Sequence, residues 1–276
     1  MPFSCFDSIT QVPATARGKA VLAASHGGRY VADVALRLGL SALIVNDAGV
    51  GRERAGVAAL EALETHGLPA AAVSAHSARI GDGSDCFARG VISFANETAR
   101  RIGIAQGMTA RTALNLMAKH GRPPTDAAPN FATGHREVRD FADGRVVIVD
   151  SNAMIVPGDE GALVVTGSHG ALLGGRSEAA VSRAVAAAIY NDADGGIDGA
   201  GFSRLAALDA RGIAAATVSA WSALIGDGRS TFADGYVTHV NNRAAIAGGE
   251  IGLSCQALLT RLIAWQPTRP AAGRST

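Results

Sequence analysis

The sequence is poor in cysteine, aromatic residues and charge. It has 3 Cys among 276 residues, 5% aromatic residues and 18% charged residues. Three scattered cysteines cannot build the disulfide framework on which small secreted domains depend. The formal net charge is +1, and no stripe of Lys and Arg with interleaved aromatics is present. The composition therefore gives no reason to expect a nucleic-acid partner or an acidic membrane surface.

Long apolar runs are also missing. No run approaches the roughly 20 residues that span a bilayer. Residues 1–17 lack a basic start followed by an apolar core, which is the pattern of a signal peptide. We therefore expect a cytoplasmic protein that does not associate with membranes. Hydrophobic residues nevertheless make up 48% of the chain, which is enough for buried cores and too apolar for disorder.

What the sequence does contain is one stretch that occurs twice. Residues 74–83 read SAHSARIGDG, and residues 219–228 read SAWSALIGDG, so the separation is 219 − 74 = 145 residues. Other short matches keep nearly this offset: Asn46-Asp47-Ala48 returns as Asn191-Asp192-Ala193, Ser25-His26-Gly27 as Ser168-His169-Gly170, and Asp7-Ser8 as Asp150-Ser151. We predict a tandem duplication of one domain-sized unit.

Each unit alternates short apolar runs with amphipathic stretches. Predicted strands are residues 20–24, 42–45, 70–73, 90–96, 162–166, 188–190, 214–218 and 235–240; predicted helices are 29–38, 55–65, 97–101, 109–119, 177–187 and 202–210. The alternation predicts two homologous α/β lobes, each a three-layer αβα unit with a mainly parallel sheet, related by pseudo-twofold symmetry. We place the units at residues 1–125 and 150–276, joined by a linker, 126–149, that contains a β-hairpin. The tail after Trp265 is predicted to fray.

Polar residues follow several predicted strands. Because ligands of open α/β sheets bind at the carboxyl ends of parallel strands, these residues are candidates for one site. In the first unit they are Ser25, His26, Gly27, Asn46, Asp47, Ser74, His76, Ser77, Arg79 and Asp82; in the second they are Ser168, His169, Asn191, Asp192, Trp221, Ser222 and Asp227. The alternative for each is structural, since Ser, Asn and Asp commonly cap helices and close turns.

The differences between the two copies favour chemistry in the first unit. His76 is replaced by Trp221, and Arg79 by Leu224. In the catalytic hypothesis, His26 or His76 is the general base, Asp47 orients it, Ser25 or Ser77 is a candidate nucleophile, and Arg79 holds an anionic group. In the other arrangement the two halves share one composite pocket, to which Trp221 lends an apolar wall.

Metal and nucleotide chemistry are further alternatives. His26, Asp47, His76 and Asp82 have the chemistry to hold one divalent metal ion, although no His-x-x-x-His or Cys-x-x-Cys spacing occurs. Residues 164–170 resemble the nucleotide-binding Gly-Ser-His-Gly turn of the universal stress proteins, which would imply a nucleotide ligand. In that family the turn lies late in the domain, whereas here it opens each unit. No dinucleotide fingerprint or Walker-type loop is present.

Taken together, these features predict an enzyme that acts on a small polar metabolite. The expected reaction is hydrolysis of an amide, a cyclic amide or an ester, because serine, histidine and aspartate side chains are expected at one sheet edge. The alternative is a non-catalytic protein that binds a small ligand or a nucleotide in the same turns. A homo-oligomeric subunit whose alanine-rich helices serve assembly is the third reading.

Overall fold

The computed structural model describes residues 3–123, 134–141 and 144–265. It is a mixed α/β structure with two mostly parallel sheets. The first sheet has the order β1-β2-β3-β4-β5, and the second has the order β11-β10-β9-β8-β7-β6. The strands are β1 Phe3–Phe6, β2 Ala20–His26, β3 Ala42–Asn46, β4 Ala70–Val73, β5 Ile92–Ala95, β6 Arg136–Phe141, β7 Gly144–Val149, β8 Leu163–His169, β9 Ala187–Asn191, β10 Ala214–Val218 and β11 Val237–Val240.

The helices pack on the faces of these sheets. They are α1 Arg29–Leu38, α2 Ala58–Glu64, α3 Gly83–Arg89, α4 Glu97–Arg101, α5 Ala110–His120, α6 Arg204–Ala210, α7 Gly228–Asp234, α8 Asn242–Ile246 and α9 Cys255–Ala264. Strands β2, β3 and β4 are buried along their whole length, and alternate side chains enter separate apolar clusters on opposite faces of the sheet. Within the described residues, no helix combines the length and apolar character that a bilayer crossing requires.

The prediction of α1 is confirmed, and its cause is visible in the sequence. Val31, Ala32, Ala35 and Leu36 are buried along one side of the helix. The helix ends at Gly39, which adopts a left-handed conformation with φ of 62°. Because β2 runs directly into this helix, the position of α1 fixes the residues that join them.

The predicted helix at residues 177–187 is wrong. The structure has short 3-10 turns at Leu173–Gly175 and Ser177–Ala179, and β9 already begins at Ala187. Gly174 and Gly175, directly before the predicted helix, have positive φ values of 59° and 69°, so no helical turn leads into it. The segment instead reaches the first half of the chain, where the Gly174 N–H donates to the carbonyl of Gly81 at 2.8 Å.

Three other details differ from the predicted pattern or add to it. β5 and β11 were predicted as strands, but each runs antiparallel to its neighbour and closes one edge of a sheet. β1, which the sequence pattern did not predict, pairs in parallel with β2. The predicted hairpin forms as β6 and β7, and β7 also pairs with β8, so both strands belong to the second sheet. Residues 126–133, 142 and 143 of the predicted linker and the tail after Trp265 lie outside the described residues.

The carboxyl ends of the two sheets face each other. We call residues 3–123 the first half, and residues 134–141 with 144–265 the second half. An apolar cluster between them is formed by Ala48, Ile80, Ala171, Ala193, Ala200 and Ile225. Backbone bonds cross in both directions: Arg52 N–H donates to Ala220 O, and Ile197 N–H donates to Ala75 O, each at 2.8 Å. The strand-end residues of both halves are thereby brought together.

Candidate functional site

A small cavity lies where the strand ends of the two halves meet, and we call it the central cavity. Its volume is about 30 Å³, which is room for one or two water molecules. Both halves contribute lining residues: Ser8, Ile9, Thr10, Ser25, His26, Tyr30 and Val31 from the first, and Asp150, Ser151, Ser168, His169 and Gly226 from the second. Four of the predicted site residues, two serines and two histidines, therefore meet in one place.

His26 is the last residue of β2 and is buried. Its Nδ1 accepts a hydrogen bond from the Gly28 N–H at 3.0 Å. A nitrogen that accepts carries no proton, so the hydrogen-bond pattern assigns the ring proton of the neutral imidazole to Nε2. Burial also lowers the pKa of His26 to about 4. At neutral pH this side chain is consequently an uncharged hydrogen-bond donor rather than a base.

His169 repeats this arrangement from the second half. Its Nδ1 accepts from the Ala171 N–H at 3.3 Å. Burial first, and then the nearby Arg204 and His26, lower the pKa of His169 well below its ordinary value. The two rings meet edge to face, with centroids 6.2 Å apart. No described residue hydrogen-bonds Nε2 of either ring, so both Nε2–H groups remain to serve a ligand or water.

The serine hydroxyls next to these histidines are also held as donors. Ser25 Oγ accepts from the Ile9 N–H at 3.2 Å, and Ser168 Oγ accepts from the Asn152 N–H at 2.8 Å. Because each oxygen is already an acceptor, its own proton is left for another partner. Two uncharged imidazoles and two serine hydroxyls that can donate thus line the central cavity, together with the Asp150 carboxylate.

Two glycine turns press against the histidines from the opposite half. A methyl group at Gly226 would lie 3.0 Å from Cε1 of His26. A methyl group at Gly81 would lie 2.7 Å from Leu172 O and 3.3 Å from Cε1 of His169. Both glycines have positive φ, 90° and 82°, which permits the tight turn. The repeated Gly-Asp-Gly motif therefore packs each half closely onto the histidine of the other.

A larger groove of about 670 Å³ adjoins the cavity and shares Tyr30, Asp150 and Gly226 with it. Its other walls carry charged or ionisable residues, namely Arg29, Asp33, Glu53, His135, Asp227 and Arg229. Elsewhere the two halves are in contact: the Gly174 N–H donates to the Gly81 carbonyl, and Arg176 Nη2 lies 3.3 Å from Asp7 Oδ2. The groove is therefore the approach through which we expect a ligand to reach the histidines.

Asp150 is the carboxylate that lines both the groove and the cavity. Its Oδ1 accepts from the Gly228 N–H at 3.0 Å, and its Oδ2 accepts from the His135 N–H at 2.6 Å. A carboxylate has further lone pairs beyond these two bonds, so it can also accept from a water molecule.

Asn46, Asp47, Asn191 and Asp192 hold backbone in place. Asp47 Oδ1 accepts from the N–H groups of Gly49 and Ala75, and its Oδ2 accepts from the Ser93 hydroxyl at 2.7 Å. Asp192 Oδ1 accepts from the equivalent N–H groups of Asp194 and Ala220. The side-chain amides of Asn46 and Asn191 donate to the backbone carbonyls of Ala78 and Ala223, respectively. The predicted pairing of Asp47 with an imidazole is not what the structure shows, because backbone N–H groups and a hydroxyl occupy the carboxylate.

Other predicted residues cap helices or close turns. Asp82 and Asp227 accept N–H groups at the starts of α3 and α7. Ser74 Oγ accepts from the His76 N–H, while Ser77 and Ser222 each bridge a turn to the following strand region. Gly27 is required by packing, since a methyl group there would lie 2.7 Å from Gly56 O. For these positions the structure shows the structural role.

His76 and Trp221 meet on the surface rather than at the central cavity. His76 Nε2 lies 3.4 Å from Asp194 Oδ2, and the Trp221 Nε1–H donates to Asp194 Oδ1 at 2.9 Å. Arg79 pairs with Asp198 of the second half at 2.9 Å. The repeated loops of the two halves therefore do contact a common residue, Asp194. They do so at the surface, where the His76 side chain is 65% exposed.

The metal hypothesis finds no support in the part of the chain that is described. No group of three or more His, Cys, Asp or Glu side chains comes together there in a way that could hold an ion. His26, with Nδ1 already accepting an N–H, would have to lose its Nε2 proton before it could ligate. Asp47 and Asp82 are engaged with backbone N–H groups.

Sequence reasoning missed Tyr30, Asp150, Asp194 and Arg204. For Asp150 a signal was present, because Asp7-Ser8 and Asp150-Ser151 recur at nearly the common offset, which marks another pair of strand ends. Arg204 has Ala59 as its counterpart at 204 − 145 = 59 and carried no repeat signal. Only the fold brings it close to His169.

No protein-family model matches this chain, and neither a curated protein nor a solved structure is detectably similar to it.

Proposed function

We propose that the chain is an enzyme that hydrolyses an amide, a cyclic amide or an ester bond of a small polar metabolite, with the reacting carbonyl at the central cavity and the rest of the substrate in the adjoining groove. The observation that carries the proposal is the matched tautomer of His26 and His169. Each Nδ1 accepts a backbone N–H, and each Nε2–H is left without a partner among the described residues. Neutral donors that converge in a buried cavity are suited to hold a carbonyl oxygen and the negative charge that develops on it.

In this mechanism Asp150 activates water. Its carboxylate takes a proton from a water molecule while the water oxygen attacks the carbonyl carbon, and the carbonyl oxygen gains the negative charge. The two Nε2–H groups, with the Ser25 and Ser168 hydroxyls, bind that oxygen. When the carbon–nitrogen or carbon–oxygen bond breaks, the leaving group takes the proton from Asp150. The substrate reaches the cavity along the groove past Tyr30.

The two halves also support the proposal of an internal duplication with pseudo-twofold symmetry. The two sheets share one strand order over five strands, apart from the additional β6. Equivalent bonds recur: Gly81 N–H donates to Ala24 O, and Gly226 N–H donates to Gly167 O. A cavity on the symmetry axis would receive the same residue types from both halves, as the central cavity does. The cytoplasmic location and homo-oligomeric assembly stay predictions.

The test is a panel of small amides, cyclic amides and esters assayed in water labelled with heavy oxygen. Mass spectrometry should find the label in the acid product. His26→Leu and His169→Leu, which leave no side-chain donor, should each lower turnover by about a hundredfold, the usual effect of losing one donor to the transition state. His120→Ala, an exposed histidine at the end of α5, is the matched control. Full turnover in both leucine variants would contradict the proposal.

The alternative is a protein that binds a carboxylate or another anion without turnover. It is favoured by the uncharged donors of His26, His169, Ser25 and Ser168, since such donors also suit a bound carboxylate. This function predicts that a ligand raises the melting temperature of the protein and is recovered unchanged. Loss of that stabilisation in His169→Leu, without any product in the wild type, would favour binding over hydrolysis.

A further inference from the structure

Arg204 is the largest fully buried side chain of the structure, with 2% of its surface exposed. It forms no ion pair with a carboxylate of the described residues. Its guanidinium donates to main-chain carbonyls and lies 4.8 Å from the centroid of the Tyr190 ring. Removing a guanidinium from water without an acidic partner is costly. A residue of this kind calls for an explanation beyond packing.

The hydrogen bonds of Arg204 converge on the residue that holds His169. Nε and Nη2 both donate to Ala171 O, at 3.2 and 2.7 Å, and Nη1 donates to Ala179 O at 3.3 Å and to Ala180 O. Ala171 is the residue whose N–H donates to His169 Nδ1. The guanidinium therefore holds the carbonyl of Ala171, and the N–H of the same residue orients the His169 imidazole.

The first half achieves the same result with a helix. The Gly28 N–H donates to His26 Nδ1, and the Gly28 carbonyl accepts from the Val31 N–H at 3.0 Å in the first turn of α1. Gly28 and Ala171 are equivalent, since 171 − 28 = 143 is the offset of the flanking Ser-His-Gly motif. In the second half no α-helix follows the histidine, and the carbonyls of this irregular segment need other donors. Arg204 supplies them.

We propose that Arg204 is a positioning residue for His169. By holding the Ala171 carbonyl, the guanidinium keeps the Ala171 N–H on Nδ1 and the ring proton on Nε2, as α1 does for His26. The inference rests on the proposed function only in assigning a use to that proton, because the tautomer can be measured without any substrate. The charge of Arg204 acts in the same direction, since a nearby cation disfavours imidazolium.

Several other groups surround His169 and could influence its protonation. His26 faces it from β2, and Asp150 and Tyr30 line the same cavity. None of these is altered by a change at Arg204. The His26 ring in the same molecule is an internal control, because α1 rather than Arg204 holds its partner residue.

Nitrogen NMR of the imidazole rings tests the proposal, with the His169 signals assigned by their loss in His169→Gln. In the wild type both rings should be neutral at pH 7, with Nδ1 unprotonated. In Arg204→Met we expect a mixture of tautomers at His169 and a titration midpoint that moves up toward the ordinary value of about 6.5. The His26 signals should not change. Ser203→Ala, which removes a bond to the adjacent Leu172 N–H, is the matched control and should keep the wild-type spectrum.

Arg204→Gln covers the case in which the methionine variant does not fold. Its amide can still donate to Ala171 O but carries no charge, so the Nε2–H tautomer should persist while the midpoint rises. Wild-type tautomer and midpoint at His169 in whichever variant folds would overturn the proposal, as would an equal change at His26. The expected change at His169 in a protein that hydrolyses nothing would refute the proposed function alone.

Discussion

The imidazole rings of His26 and His169, one from each half of the chain, meet edge to face with centroids 6.2 Å apart. Both rings are buried, and both turn Nδ1 toward a backbone N–H. Two protonated imidazoles at this distance would repel each other in a poorly solvated site. The pair therefore exists in its neutral form, and this form should govern the stability of the protein as well as its chemistry.

The first prediction concerns acid sensitivity. Burial lowers the pKa of His26 to about 4, whereas an unfolded histidine titrates near 6.5. Between these values the unfolded chain binds a proton that the folded chain does not, so the free energy of unfolding falls as the pH falls from about 6.5 to about 4. The contribution is fully present above that window and lost below it, and for His26 it is on the order of 3 kcal/mol.

Urea unfolding at a series of pH values measures this dependence. In His26→Gln the slope of unfolding free energy against pH should become shallower between pH 4 and 6.5, and His169→Gln should act in the same direction. His120→Ala should keep the wild-type slope, because that side chain is exposed. An unchanged slope in the double glutamine variant would show that the buried pair does not set the acid limit.

The second prediction concerns the glycines that press on the histidines. Gly81→Ala would place a methyl group 2.7 Å from Leu172 O, a backbone atom that cannot rotate away. Gly226→Ala would meet Cε1 of His26 at 3.0 Å, where a slight shift relieves the contact. We expect Gly81→Ala to lower the free energy of unfolding by about 1 to 3 kcal/mol more than Gly212→Ala, the usual range for overpacking.

Gly212→Ala is a suitable control because its φ is also positive, 70°, while nothing lies within 4 Å of the added methyl group. It therefore reports the backbone strain alone, about 1 kcal/mol. Gly226→Ala should be intermediate in stability and should alter the His26 imidazole signals in NMR. Equal costs at Gly81 and Gly212 would mean that the two halves separate easily at this contact.

Much of the fold followed from local patterns. The apolar spacing of residues 29–38 and the glycine after them specify α1, and the buried apolar runs specify the central strands of both sheets. These features depend on residues that are neighbours in sequence. The segment after His169 could not be predicted in this way, because its conformation is set by contacts of Gly174 and Arg176 with the first half and by Arg204.

Only part of the candidate site could be predicted, because its other features depend on contacts between residues distant in sequence. The repeat and the strand-end rule placed Ser25, His26, Ser168 and His169 at the carboxyl ends of strands. In the structure these ends belong to two sheets and meet at the central cavity. Neither rule specifies which polar residue faces a cavity and which bonds backbone, so Asp47 and Asp82 were candidates on equal terms with His26. That distinction depends on where loops distant in sequence place their N–H groups, as Ala75 does for Asp47.

The third prediction separates the two places where histidines from the repeat motifs lie. His76 is exposed and pairs with Asp194 on the surface, away from the residues that line the central cavity. If the chemistry takes place in the cavity, His76→Ala should keep turnover within about twofold, a change of less than 0.5 kcal/mol in the activation free energy. A loss comparable to that expected for His169→Leu would instead support His76 as the general base.

The last prediction uses a close contact between the two halves, at Gly49 and Asp194. Gly49 and Asp194 are equivalent positions, 194 − 49 = 145, and they face each other so closely that a methyl group at Gly49 would lie 2.1 Å from Cβ of Asp194. Only one of the two can carry a side chain. Asp194 has a positive φ of 57°, a conformation that glycine adopts at no steric cost.

We therefore expect Gly49→Ala to be strongly destabilising and Asp194→Gly to rescue it. Alone, Gly49→Ala should cost several kcal/mol of unfolding free energy or prevent folding, since the clash adds to the strain of φ at 69°. With Asp194→Gly, only the strain of about 1 kcal/mol should remain. A double-mutant cycle in urea measures the coupling. Independent effects would show that the halves are not held as closely in solution as Gly49 and Asp194 require.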